Sequence, residues 1–136
     1  MKSKALIRQY MTPMPYSVTP DFPVREALEL MHMNRIQHMP VEQNGLVVGT
    51  VSERDLLLAL TLQDTAGFLI KDVGFEEAFR VSPDALLVDV VTEMAYYRKN
   101  SALVGFDKEV LGIFTATDAL RLLGSLLTDS PFKIAA

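Results

Sequence analysis

Two strings in this chain set a glycine, a hydroxyl and a carboxylate at one spacing: GTVSERD, Gly49–Asp55, and GIFTATD, Gly112–Asp118. Ser or Thr followed three residues later by an acid, ahead of an apolar run, marks a helix start. Two kinds of chemistry fit the pattern. In one, Ser52 with Asp55 and Thr115 with Asp118 form capping boxes worth about 1 kcal/mol, with no ligand involved. In the other, the helix start offers unpaired N–H groups to a phosphate, and Arg54 neutralises that phosphate. Asp55 and Asp118, shorter than the usual Glu of a box, then project outward, where each can accept both hydroxyls of a ribose. Gly49 and Gly112 leave room for a close approach to the backbone.

These strings must be positioned by the elements around them, and those elements are repeated too. At the offset of 63 residues that relates Gly49 to Gly112, VTPD at Val18 falls on VSPD at Val81, Met31 on Met94, Arg35 on Arg98 and Val41 on Val104. Two copies suggest a pseudo-twofold pair whose halves cover each other's apolar faces. In the first copy Val24, Ala27, Leu28 and Met31 form an amphipathic helical stripe, with Asp21 as its candidate cap. In the second, Asp84 precedes Leu87, Val90, Val91 and Met94. HMPVEQNGLVVGTV reads as two strands about an Asn44-Gly45 hairpin turn. Its counterpart has Asp107-Lys108, which predicts a looser turn. SERDLLLAL and TATDALRLLGSLL read as helices. Each copy is therefore ordered strand, helix, strand, strand, helix, with the first strand near residues 16–18. A linker over residues 61–72 joins the copies, and the tail after Pro131 reads as a loose end.

The bulk properties narrow the function. A 136-residue chain with 49% hydrophobic residues is long enough to bury a core without staples. It has no cysteine, so disulfides, thiolate metal sites and a Cys nucleophile are excluded. A net charge of −4 argues against a broad nucleic-acid surface. No apolar run approaches the roughly 20 residues of a membrane span, and the N-terminus shows no cleavable leader pattern. These features predict a cytoplasmic protein. No His or carboxylate cluster has the spacing of a metal site, and no phosphate-loop or nucleophile-elbow string occurs. An enzyme is not expected.

The ordered set of motifs resembles a tandem pair of CBS domains, a regulatory module, over nearly the whole chain from YMTP at Tyr10 to about Leu127. The resemblance implies an α+β fold of two βαββα repeats about a pseudo-twofold axis, as a stand-alone CBS-domain protein. It divides the chain into a lead-in over residues 1–10, repeats at 11–68 and 74–131, and a tail at 132–136. It implies clefts for an adenosyl ligand such as AMP, ADP, ATP or S-adenosylmethionine, acting as effector with no required cofactor, and Mg only with bound ATP. Asp55 and Asp118 would take the ribose, and Ser52, Arg54 and Thr115 the phosphate. Thr12, Ser17, Val18, His38, Met39 and Pro40 would pocket adenine in one cleft, and Val81, Ser101 and Ala102 in the other. The ligand-bound module would signal through a homodimer to a regulated partner protein. The alternative is a ligand-silent interaction module.

The second copy departs from the pattern, with Thr117 at the place of Arg54, Leu103 at Pro40 and Lys108 at Gly45. The Ser52, Arg54, Asp55 cleft is therefore expected to bind better, unless Arg35, Arg98 or Lys99 repairs the other. Elsewhere, His32 reads as solvated, and most methionines as core fillers. Of Tyr96 and Tyr97, one is expected to pack. The leucine-rich terminal helices of both copies are candidates for a subunit interface.

Overall fold

The helical stripe around Met31 forms α1, Val24–Asn34, and buries Val24, Ala27 and Met31. In this computed structural model, residues 3–13, 16–62, 67–107, 109–129 and 132 are described. They divide into two compact units, Tyr16–Ala78 and a second made of Met1–Pro15 with Phe79–Ala136.

In the unit Tyr16–Ala78, α1 is followed by β2, His38–Gln43, and β3, Leu46–Ser52, an antiparallel pair. Asn44 and Gly45 join them with φ of 54° and 79°. Positive φ at both central residues is the turn whose twist matches the strands. Val18 lies parallel to Val41 as a single bridge, so the expected first strand shrinks to one residue pair. Helix α2, Glu53–Leu62, follows β3 directly, and a short α3, Ile70–Val73, closes the unit. Val18, Met31, Met39, Val41, Val51, Leu56 and Ile70 are among its core residues.

In the other unit, a four-stranded sheet runs in the order β1, Thr12–Pro13, then β6, Glu109–Thr115, then β5, Ser101–Phe106, then β4, Arg80–Val81. The β4–β5 pair is parallel and the other pairs are antiparallel. Helix α4, Leu87–Tyr97, and helix α5, Ala116–Thr128, complete it. Ile7, Val90, Met94, Ala102, Val104 and Phe114 are buried in its core. The looser turn expected at Asp107-Lys108 does not lengthen the loop. Phe106 pairs with Glu109 just as Gln43 pairs with Leu46; Lys108 lies outside the described residues.

The units do not follow the repeat boundaries, because each is completed by an arm that leads, in sequence, into the other copy. The Ile7 amide donates to the Ala85 carbonyl (2.8 Å), and the Leu87 amide to that of Ala5 (2.8 Å). Sixty-three residues on, the Ile70 amide donates to Phe22 (2.9 Å), and Val24 donates to Phe68 (2.9 Å). Both arms insert a fully buried isoleucine, Ile7 or Ile70. The expected linker over residues 61–72 thus contributes Ile70 to a core. The apolar signal there is short, and its packing partners are distant in sequence.

The caps also differ from expectation. Pro23 and Leu86 occupy the positions before α1 and α4, without side-chain capping bonds. Asp21 instead pairs with Lys71 (2.9 Å), and Asp84 with Arg8. Each acid thereby tethers an arm. The Asp21 carboxylate, through its hydrogen bond and charge, holds the Lys71 ammonium above its ordinary pKa. Tyr96 and Tyr97 are both exposed and meet edge-on at 4.9 Å, so neither packs into the core. Met31, Met39 and Met94 are buried as expected, whereas Met33 is exposed. Of the tail, Phe132 is described and packs edge-on against Tyr10 at 5.5 Å. No helix among the described residues is long and apolar enough to cross a membrane.

Candidate functional site

The repeated strings sit at equivalent corners, where the last strand of each hairpin turns into a helix. Ser52 ends β3 and α2 begins at Glu53; Thr115 ends β6 and α5 begins at Ala116. In both, the strand partner opposite the hydroxyl opens the preceding strand: His38 faces Ser52, and Ser101 faces Thr115. A carbonyl from the preceding loop fixes each helix start, Gln37 accepting from Glu53 (2.8 Å) and Asn100 from Ala116 (2.9 Å).

The glycines of the strings are needed by the chain itself. A Cβ on Gly49 would overlap the Glu76 carbonyl and the Phe75 ring, and one on Gly112 would overlap Met11 and the Thr12 carbonyl. The close approach at each glycine is thus made by an arm. Glu76 and Thr12 are the arm residues that pair with β3 and β6, opposite Thr50 and Ile113.

The carboxylates behave differently at the two corners. At the first, Ser52 Oγ accepts from the Asp55 amide (3.1 Å), which is half of a capping box. The Asp55 carboxylate is exposed and has no partner among the described residues. Arg54 is exposed beside it. At the second corner the box is complete. Thr115 Oγ1 accepts from the Asp118 amide (3.2 Å), and Asp118 Oδ2 accepts from the Thr115 amide (2.9 Å) and hydroxyl (3.0 Å). Asp118 Oδ1 accepts from Arg121 Nη1 at 3.2 Å. Asp118 is only 4% exposed.

Sequence reasoning expected both aspartates to project outward. Asp118 does the opposite, folding back onto Thr115 and pairing with Arg121. Three residues beyond Asp118 stands Arg121, on the same helical face, whereas the equivalent place after Asp55 is Leu58. The arginine is engaged with the Asp118 carboxylate at 3.2 Å. Its position at i+3 from an acid on a predicted helix was the signal available in the sequence.

The residues expected to pocket adenine divide between the units. Ser17, Val18, His38, Met39 and Pro40 lie in the unit that carries Ser52, Arg54 and Asp55; Val81, Ser101 and Ala102 lie with Thr115 and Asp118. Thr12 folds in the latter unit, where it pairs with Ile113. Val18, Met39 and Ala102 point into the cores, which leaves only their backbone for a ligand. Ser17 is exposed and His38 half-buried. An open groove of about 530 Å³ at the end of α1 is lined by His32, Arg35, Gln37 and Glu53; of the residues given a candidate role above, only the spare cation Arg35 is among them.

Compared with known proteins, the CBS domain family matches residues 7–62 and again 70–125. The chain belongs to the CBS domain family. Both matches begin at the buried isoleucine of an arm, so the family's repeat includes the segment that each unit exchanges. The CBS pair is similar to inosine-5'-monophosphate dehydrogenase of Korarchaeum cryptofilum (strain OPF8), 29% identical over 103 residues. That match takes 75% of this chain but only 21% of the dehydrogenase. It is similar to the CBS domain-containing protein YhcV of Bacillus subtilis (strain 168), 25% identical over 113 residues, 82% of this chain and 81% of that one. Among solved structures, the CBS domain pair of protein MJ0100, in complex with 5'-methylthioadenosine and S-adenosyl-L-methionine, shares the fold. Its TM-score is 0.81 at 22% identity, over 91% of this chain and 99% of that one. CBSX2 in complex with AMP has a TM-score of 0.72 at 25% identity, over 90% of this chain and 98% of that one.

Proposed function

We propose that this CBS pair is a regulatory module that binds an adenosine-containing ligand and passes the bound state to a partner protein through a homodimer. The observation that carries the reading is the Asp55 carboxylate, exposed and without a partner among the described residues, beside a helix start whose hydroxyl is already placed. An acceptor-only group held in water one turn into a helix is suited to the vicinal hydroxyls of a ribose. The neighbouring helix N-terminus and Arg54 favour a phosphate. AMP bound to CBSX2, a relative at 25% identity, supports the ligand class. Mg would arrive only with ATP. The role is regulatory rather than catalytic.

Exposed leucines supply the surface for pairing: Leu57, Leu58 and Leu62 on α2, and Leu120, Leu123, Leu126 and Leu127 on α5. Sedimentation at micromolar concentration should show a dimer, and a monomer throughout would remove that part of the proposal.

The ligand is tested by thermal melting of nucleotide-free protein against AMP, ADP, ATP and S-adenosylmethionine. At 100 times its dissociation constant a ligand should stabilise by about 2.7 kcal/mol. No response to any of the four overturns the reading. It would favour the alternative of a ligand-silent interaction module, which the complete capping box at Asp118 supports for that corner.

A further inference from the structure

The two corners share a sequence string but differ in what occupies the carboxylate. Asp118 keeps both oxygens engaged, Oδ2 by Thr115 and Oδ1 by Arg121. The Asp118 side chain is 5% exposed while that of Arg121 is 47% exposed, so the guanidinium stands on the solvent side of the acid. We propose that Arg121 is a latch on the Asp118 corner: it competes with ribose hydroxyls for Oδ1 and yields only to a ligand that brings its own anion. This rests on the ribose-binding reading of the preceding section.

The chemistry follows from the donors and acceptors present. A diol approaching Asp118 must displace the Arg121 fork or share Oδ1 with it, and a displaced guanidinium needs a new anionic partner. A phosphate at the α5 N-terminus provides one, since guanidinium pairs with phosphate as well as with carboxylate. A neutral nucleoside provides none. The Asp118 corner should therefore discriminate between AMP and adenosine through the latch. The Asp55 corner has Leu58 at the latch position and no such competitor.

The experiment is calorimetric titration of the intact chain with two probes, adenosine and AMP, in an Asp55→Ala background that leaves the Asp118 corner to be read. Adding Arg121→Ala should raise adenosine affinity about tenfold, the scale of one lost charge-assisted competitor, and narrow the gap between adenosine and AMP. Arg121→Lys, which keeps the charge and the fold, should preserve the gap. Unchanged or weaker adenosine binding in Asp55→Ala/Arg121→Ala overturns the latch. If AMP alone weakens, Arg121 is a phosphate clamp and not a competitor. Failure of the ligand-binding reading looks different: the unmutated chain then binds neither probe, and neither does any variant.

Discussion

The backbones of Thr50 and Glu76 exchange two hydrogen bonds, at 2.9 and 3.0 Å, and so place an arm residue two positions from Ser52 on β3. The arm fixes the strand that delivers the hydroxyl and carboxylate, and Gly49 exists to admit it. Stability of the arm and geometry of the corner are therefore one property.

Gly49→Ala should destabilise the chain by about 1–3 kcal/mol, because the added methyl meets a backbone carbonyl that cannot simply swing away. Gly112→Ala meets the flexible Met11 side chain as well as the Thr12 carbonyl and should cost less than Gly49→Ala. Denaturant melts of the two variants check the order; equal, negligible losses would contradict the packing described.

Fragments divided by unit should behave better than fragments divided by repeat. Residues 16–78 hold a complete core that includes Ile70, and should unfold cooperatively. Residues 1–62 lack Ile70 and leave the β3 edge open, which invites association. Near-ultraviolet dichroism and sedimentation of the two fragments check this. Cooperative, monomeric behaviour of 1–62 would show that the arm is dispensable.

The two aspartates should separate binding from stability. Asp118→Ala removes a buried capping acid and should lower the stability of the ligand-free chain by about 1–2 kcal/mol. Asp55→Ala removes an exposed, unpartnered group and should change it by less than about 0.5 kcal/mol. The melting shift produced by AMP should instead shrink in Asp55→Ala to the part that the Asp118 corner supplies. Thermal melts with and without AMP read both effects, and an AMP shift intact in Asp55→Ala counts against the ribose role.

Arg35 and Arg98 end α1 and α4 with φ of 53° and 56°, a left-handed conformation that strains any residue with a Cβ. Arg35→Gly and Arg98→Gly should each stabilise by up to about 1 kcal/mol, measured by chemical denaturation. A clear loss at either position would mean that the guanidinium holds something the backbone does not reveal.

The sequence by itself determined what is local. Apolar periodicity set α1 and α4, Asn44-Gly45 set the hairpin turn, and the doubled spacing revealed the repeat and the corners at Ser52 and Thr115. Each rests on contacts between residues a few positions apart, where type and spacing suffice. The tertiary structure alone decided which residues close each core. Ile7 and Ile70 fill their places from dozens of residues away, and Asp21 and Asp84 became tethers to arms instead of caps. It also decided the fate of two carboxylates with the same string. Asp118 is buried under Arg121 while Asp55 is open to water, because the outcome depends on side chains meeting in space and on the burial that only packing creates.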